Sequence, residues 1–233
     1  QEHKEEMIKY YEKNITEKEF IINQKLILVY KESDKWKMLI NHPDYELTLK
    51  GINLIVRDKV FTPDPKITYS SSFLLKNIPN VENKSVLDLG CGTGVLAIHC
   101  ALNNAKEVLA VDNNNIALEN TKFNLKKNKV ENKVQVRESK IFSNVAEKFD
   151  IITANLPILD EVWEIDTSTE NIVREFLTKC KEHIKEHGKV YLTWASFADI
   201  SPVRNLLKEL SYNYREITEE KMGFTWYVIE ISF

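Results

Sequence analysis

From residue 85 onward, short apolar runs alternate with stretches whose apolar positions recur every three or four residues. "SVLDLG" (85–90) ends in glycine and is followed by "TGVLAIHCALNN", a helix candidate. "EVLAVD" (107–112) is the next strand, then "NNNIALENTKFNLKKN", where Ala117, Leu118, Thr121 and Leu125 share a helical face and the leading asparagines supply an N-cap. "KVQVRES" (133–139) and "FDIITAN" (149–155) read as a third and a fourth strand. Thr167 and Glu170 have capping-box spacing before a helix carrying Ile172, Val173, Phe176, Leu177, Cys180 and Ile184, with Gly188 suited to its C′ position. "KVYLTWASF" (189–197) follows as a fifth strand, and Ser201-Pro202 starts a helix as cap and first residue.

The ending breaks this alternation. "NYREITEEKMGFTWYVIEISF" reads as two strands around a glycine-containing turn, and strands joined so closely pair antiparallel. The start of the chain differs again, with a charged helix-like segment at about 4–20 and then "KLILVYKE", "KWKMLI", "ELTLKG" and "NLIVRD" as short strand-like stretches. The pattern predicts an α/β domain over 60–233, with a mainly parallel sheet closed by an antiparallel hairpin. A small α+β appendage over 1–59 precedes it, joined through the proline-rich "VFTPDPKITYSSSFLL" (60–75).

Composition narrows the function classes. A hydrophobic content of 43% and a charged content of 29% are globular values. The net charge of −3 supplies no global basic field for nucleic acid. Three cysteines (Cys91, Cys100, Cys180) without framework spacing point to a reducing, cytoplasmic setting. No apolar run reaches the ~20 residues of a membrane helix, and the charged first residues lack an apolar signal core, so no membrane partner is expected. The five histidines show no metal-ligand spacing; His183 and His187 fit a solvated face, and no metal is expected.

The chemistry concentrates at "DLGCGTG" (88–94), between a strand and its helix, where an open α/β sheet binds nucleotide-like ligands. Asp112 ends the next strand 22 positions beyond Gly90, where an acid accepts hydrogen bonds from ribose hydroxyls. The dinucleotide spacing G-x-G-x-x-G fails, because its sixth position is Val95. Asp88-Leu-Gly90-Cys-Gly92-Thr-Gly94 instead resembles the acid-x-G-x-G-x-G motif of the class I S-adenosylmethionine-dependent methyltransferases. That resemblance implies a Rossmann-like, seven-stranded sheet and S-adenosyl-L-methionine as cofactor. By it, Asp88 with Gly90, Cys91, Gly92 and Gly94 holds the methionine end, and Asp112 with Asn113 holds the ribose. Cys91 is a small filler in the loop rather than a nucleophile. The family's acid after the third strand is replaced by Ser139 and Lys140, with Ser139 left as the adenine contact.

"NLPI" (Asn155-Leu156-Pro157-Ile158) is similar to the (Asn/Asp)-Pro-Pro-(Tyr/Phe) motif of amino-nitrogen methyltransferases, and its second-position leucine also resembles the ribosomal RNA adenine dimethylases. An amide or exocyclic amine nitrogen is a poor nucleophile. If the Asn155 side-chain oxygen and the Leu156 carbonyl each accept an N–H, the nitrogen is fixed and its developing positive charge is stabilised, while Pro157 stiffens the turn. Ile158 departs from the family's aromatic; Trp163 or Tyr69 either substitutes for it or serves as packing. Pro63, Pro65, Thr68 and Tyr69 match the linker of the small-domain methyltransferases, including the release-factor glutamine methyltransferases, in which the threonine approaches the cofactor; Asp64 stands where an arginine is usual.

The resemblance therefore implies methyl transfer to an amide or amino nitrogen of a macromolecule. A protein side chain such as glutamine fits the linker and the pI of 6.0. RNA fits the Asn-Leu-Pro turn and the stretch 122–140, where Lys122, Lys126, Lys127, Lys129, Lys133, Arg137 and Lys140 face two acids, Glu131 and Glu138. A solvated face explains that stretch equally well, and a non-catalytic cofactor-binding scaffold is the third reading.

Overall fold

The computed structural model describes residues 39–158 and 168–233. The expected helix at 4–20, the strand "KLILVYKE", Thr167 and Trp163 lie outside them. Of "KWKMLI", the described Leu39 and Ile40 form a turn rather than a strand, packed against Phe61 and Ile67.

Two strands, β1 (Tyr45–Leu49) and β2 (Ile52–Val56), pair as a separate antiparallel hairpin. The chain continues through α1 (Ser70–Asn77), β3 (Ser85–Leu89), α2 (Val95–Leu102), β4 (Glu107–Asp112), α3 (Asn115–Lys127), β5 (Val134–Glu138) and β6 (Phe149–Ala154). It closes with α4 (Thr169–Lys179), β7 (Ile184–Ala195), α5 (Ser201–Glu209), β8 (Asn213–Lys221) and β9 (Phe224–Ser232). A seven-stranded sheet runs in the order β5-β4-β3-β6-β7-β9-β8. Its β5-β4-β3-β6-β7 part is parallel, and β9 pairs antiparallel with both β7 and β8. This is the Rossmann-like fold of class I methyltransferases with its antiparallel closing hairpin.

Every residue of β3 is buried, because helices cover both faces of the sheet and each side chain, up or down, meets protein. One face carries Val86, Val108, Ala110, Ile151 and Tyr191 under α1, α2 and α3. The other carries Leu87, Leu109, Val111, Ile152 and Leu192 under α4 and α5.

The edge of the β1–β2 hairpin is closed by a helix. Asn120 and Asn124 on α3 and its C-cap Asn128 lie four apart, so their amides stack along one line. Asn120 Oδ1 accepts from Arg57 N (3.0 Å), Asn124 Oδ1 from Ile55 N (2.8 Å) and Asn128 Oδ1 from Asn53 N (3.0 Å). Their Nδ2 groups donate back to the carbonyls of Ile55 and Asn53. Asn124 Nδ2 also donates to Thr93 O (2.9 Å), which ties the hairpin to the glycine loop.

Three expected element ends move. Gly188 does not terminate α4; that helix ends at Lys179, a 3-10 turn spans Cys180–His183, and Gly188 lies inside β7. The left-handed residue is His187 (φ 62°), and Gly188 is small because a Cβ there would stand 2.8 Å from Ile184 Cγ1 and 2.9 Å from Asp150 O. The α4 cap is Ser168, whose side chain accepts from Asn171 N. At α5, Ser201 is already helical rather than the cap, and Asp199 Oδ1 accepts its N–H at 2.9 Å.

Candidate active site

The C-terminal ends of β3, β4, β6 and β7 bring the candidate residues to one edge of the sheet. After β3 the chain turns back on β4, with Gly90 N and Cys91 N both donating to Val111 O (2.8 and 2.9 Å). Gly92 N then donates to Asp112 Oδ2 and Asn114 N to Asp112 Oδ1, each at 3.0 Å. Asp112 is half-buried, and its two oxygens take the backbone N–H groups of Gly92, Asn114 and Asn113, which leaves acceptor capacity for a ligand hydroxyl. Burial raises its pKa, against the lowering effect of the backbone N–H groups of Asn114, Gly92 and Asn113. The Asn113 side chain is exposed at the mouth. Gly94 has φ 79°, and a Cβ there would meet Thr121 Cγ2 at 2.9 Å, so both conformation and space require glycine.

Asp88 lies deeper, 1% exposed. Its Oδ1 accepts from Thr153 Oγ1 (3.2 Å) and its Oδ2 from Ala97 N (3.1 Å). Burial pushes its carboxyl up to about 7, Asp112 adds to this, and the two hydrogen bonds oppose it. Among the described residues no cation forms an ion pair with Asp88. Cys91 is buried, and burial, reinforced by the charges of Asp112 and Asp88, drives its thiol far above the ordinary range. It is a buried filler beside Thr121, whose Oγ1 lies 3.3 Å from its Sγ.

At the end of β6, Asn155 is half-buried and held on three sides. Thr193 Oγ1 of β7 donates to Asn155 Oδ1 at 2.6 Å. Asn155 Nδ2 donates to Ser70 Oγ and Ser71 Oγ in the first turn of α1, both at 3.2 Å. Leu156 is buried against the α4–α5 face, and its Cδ2 is 3.8 Å from where a Cβ on Gly90 would stand, so the "NLPI" turn abuts the glycine loop. Pro157 and Ile158 are half-buried. Thr68 is buried with its Oγ1 3.4 Å from Ser70 Oγ, which puts the linker next to the same cluster.

Two expected contacts do not open onto this edge. Ser139 is buried with its proton directed to Ile141 O (2.9 Å) while it accepts from Asn144 N (3.1 Å), so its hydroxyl closes its own turn. Tyr69 is core: 9% exposed, stacked on Phe73 at 5.6 Å, its hydroxyl donating to Glu219 Oε1 at 3.0 Å. It is packing and not a substitute for the missing aromatic. Ile158 instead lines a cleft of about 170 Å³ with Trp194, Val173, Arg174 and Pro202, on the α4–α5 side.

The sequence reading missed Thr193, Ser70 and Ser71. Their signals were a hydroxyl inside the apolar "VYLTWA" and a serine run opening a helix. His183 stacks flat on Phe142 at 4.3 Å, and among the described residues no group of three or more His, Cys, Asp or Glu is placed to hold a metal. In the basic stretch, Lys122 pairs with Glu119 (2.7 Å), Lys127 with Glu46 (2.9 Å) and Arg137 with Glu147 (2.7 Å). Among the described residues no helix is long and apolar enough to cross a membrane.

The profile of the methyltransferase small domain matches residues 51–228. A Methanocaldococcus jannaschii protein named as a candidate protein N5-glutamine methyltransferase is 32% identical over 190 residues, 76% of this chain and 93% of that protein. Ribosomal RNA small subunit methyltransferase C of Haemophilus influenzae is 30% identical over 193 residues, 78% of this chain but 55% of its own length. The solved T. thermophilus 16S rRNA N2 G1207 methyltransferase, in complex with AdoMet and guanosine, shares the fold at a TM-score of 0.61 and 20% identity, covering 81% of this chain and 49% of that one. The chain belongs to the methyltransferase small domain family, and with it to the class I enzymes that use S-adenosylmethionine as cofactor.

Proposed function

We propose that this protein transfers a methyl group from S-adenosylmethionine to an amide or amino nitrogen of a macromolecule, with a protein side chain such as glutamine as the acceptor. The observation that carries this is Asn155: an amide at the end of β6, next to β3 and its glycine loop (Leu89 pairs with Ala154), with its oxygen directed by Thr193. The residues present fit the cofactor. Asp88 is an acid raised by burial, with no cation paired to it among the described residues, as suits a site for a ligand ammonium, and Asp112 retains acceptor capacity for a ribose hydroxyl.

When bound, S-adenosylmethionine supplies a methyl on a sulfonium, so that transfer runs downhill without a general base. The chain supplies position. Asn155 Oδ1 and the Leu156 carbonyl accept the N–H groups of the acceptor nitrogen, hold its lone pair in line and stabilise the positive charge that develops on it. Pro157 fixes the relative position of the two acceptors.

The acceptor class rests on two supports. The methanogen relative carries a glutamine methyltransferase name, and three basic residues of 122–140 are already paired with acids, which weakens the case for a phosphate-binding strip. The RNA reading is supported by the Haemophilus relative.

The test is methyl transfer from labelled S-adenosylmethionine to a glutamine-bearing protein acceptor and to ribosomal RNA in parallel. Label is expected in protein, on side-chain nitrogen. Asn155→Ala should leave cofactor affinity within a few-fold and lower kcat by about 10²–10³, the size of one preorganised electrostatic contact. Asn155→Asp, which retains an acceptor oxygen, should recover part of that loss. Label in RNA alone would replace the protein reading, and full activity of Asn155→Ala would remove Asn155 from the mechanism.

A further inference from the structure

We propose that Thr193, together with Ser70 and Ser71, is a positioning residue that makes the Asn155 amide an acceptor only. The proposal rests on the role given to Asn155 above. A primary amide offers two donors and one oxygen with two lone pairs, and a free rotor presents either end to whatever approaches. Here both donors of Nδ2 have oxygens to go to, Ser70 Oγ and Ser71 Oγ, each at 3.2 Å. The oxygen receives one proton, from Thr193 Oγ1 at 2.6 Å. What is left is a single lone pair on Oδ1, which takes an N–H and turns away any group that can only accept.

The three hydroxyls come from two elements, β7 and α1, other than the strand that Asn155 ends. Thr193 sits within β7, 1% exposed, paired with Val228 of β9. Its neighbours along the same face, Tyr191 and Ala195, are buried in the apolar cluster under α1. A valine would fill that position as well, and burying a hydroxyl there costs free energy unless it is bonded; the Thr193 hydroxyl bonds to Asn155. Ser70 and Ser71 belong to the first turn of α1, which Phe73 and Leu74, exposed by 2% and 0%, anchor in that core. Two fixed elements therefore grip one side chain at both ends, and neither χ angle of Asn155 is left to rotate.

Isosteric substitution isolates the hydroxyl. Thr193→Val keeps the shape and removes the donor; Thr193→Ser keeps the donor and removes the methyl. The first readout uses the protein without acceptor: exchange of the Asn155 Nδ2 protons in 15N-labelled protein, with their resonances assigned by their loss in Asn155→Asp. Exchange is expected to be slow in the wild type and in Thr193→Ser. It should be about tenfold faster in Thr193→Val, the size of one lost hydrogen bond, and at least as fast in the Ser70→Ala/Ser71→Ala double variant, which loses two. The second readout is kinetic: kcat lowered about tenfold in Thr193→Val and restored in Thr193→Ser, with the cofactor Kd unchanged.

Equal exchange in wild type and Thr193→Val would overturn the proposal, as would a Thr193→Ser protein that behaves like Thr193→Val. If Thr193→Val fails to fold, the serine double variant gives the same two readouts. If wild-type protein methylates no nitrogen acceptor, the proposed function fails while the exchange measurement still decides the clamp.

Discussion

At the level of single residues, Asp88 gives the fold a pH response. Its carboxyl is raised to about 7 by burial, so the folded protein holds that proton more tightly than the unfolded chain does. The resulting stability is fully present below the ordinary carboxylate range near 4 and is lost as pH rises through about 7. Asp112 shifts in the same direction. Cofactor-free protein should therefore melt at a lower temperature at about pH 8 than at about pH 5, as followed by calorimetry. Asp88→Asn should remove much of that slope, since the amide can still accept from Ala97 N and donate to Thr153 Oγ1. An unaltered slope in the variant would assign the effect to other groups. The places of Asp88, Gly94 and Asn155, at two strand ends and in the turn between strand and helix, were legible from the apolar runs that precede them. Thr193 and Ser139 were not: whether a buried hydroxyl faces a ligand or its own turn is set by contacts far along the chain.

At the level of elements, α3 does two jobs with one sequence. Its apolar side, Leu118 and Leu125, enters the core under the sheet, while its asparagine line replaces the strand that β2 lacks. Asn124 is the central link, 0% exposed and bonded to Ile55 on both N–H and carbonyl and to Thr93 O. Asn124→Ala should cost about 1–3 kcal/mol, because it leaves buried backbone groups unpaired. Hydrogen exchange should locate the damage at the amides of Ile55 and Arg57, not in β3 or β4. Damage spread evenly over the sheet would mean that the ladder is incidental. Strands and helices of the α/β part were readable from period alone, since "SVLDL" and "EVLAVD" sit in the sheet and the apolar spacing of α3 matches its buried face. The ladder was not, because asparagines four apart on a helix look like an ordinary polar face until the hairpin is docked. Gly188 misled for a related reason: glycine after a helix pattern suggests a cap, whereas here it is small to let Ile184 and the Asp150 carbonyl approach.

At the level of the whole molecule, the sheet has a working end and a holding end. The glycine loop, Asp112, Asn155 and Thr193 gather where the parallel strands finish. Where they begin, Ser85, Asp150 and Lys185 are linked, with Lys185 Nζ 2.7 Å from Ser85 Oγ and 3.2 Å from Asp150 Oδ2. S-adenosylmethionine should raise stability by roughly 2–3 kcal/mol at 100-fold over Kd. Asp112→Ala should forfeit most of that gain in a thermal-shift assay, and an undiminished shift would move the ribose contact elsewhere. Charge reversal at Lys126, Lys127 and Lys129 should leave methylation of a protein acceptor unchanged; a loss of activity on RNA that deepens as salt falls would favour the nucleic-acid reading. The strand order bears on how the protein is made. β9 follows every other described strand in sequence yet lies inside the sheet, between β7 and β8, with Val228, Ile229 and Ile231 fully buried. During synthesis the sheet therefore stays open at β7, and β8 has no partner, until β9 has left the ribosome. A nascent chain stalled before Phe224 should expose two unpaired strand edges and need a chaperone, whereas one carrying an added linker long enough to bring Ser232 out of the exit tunnel should be protease-resistant.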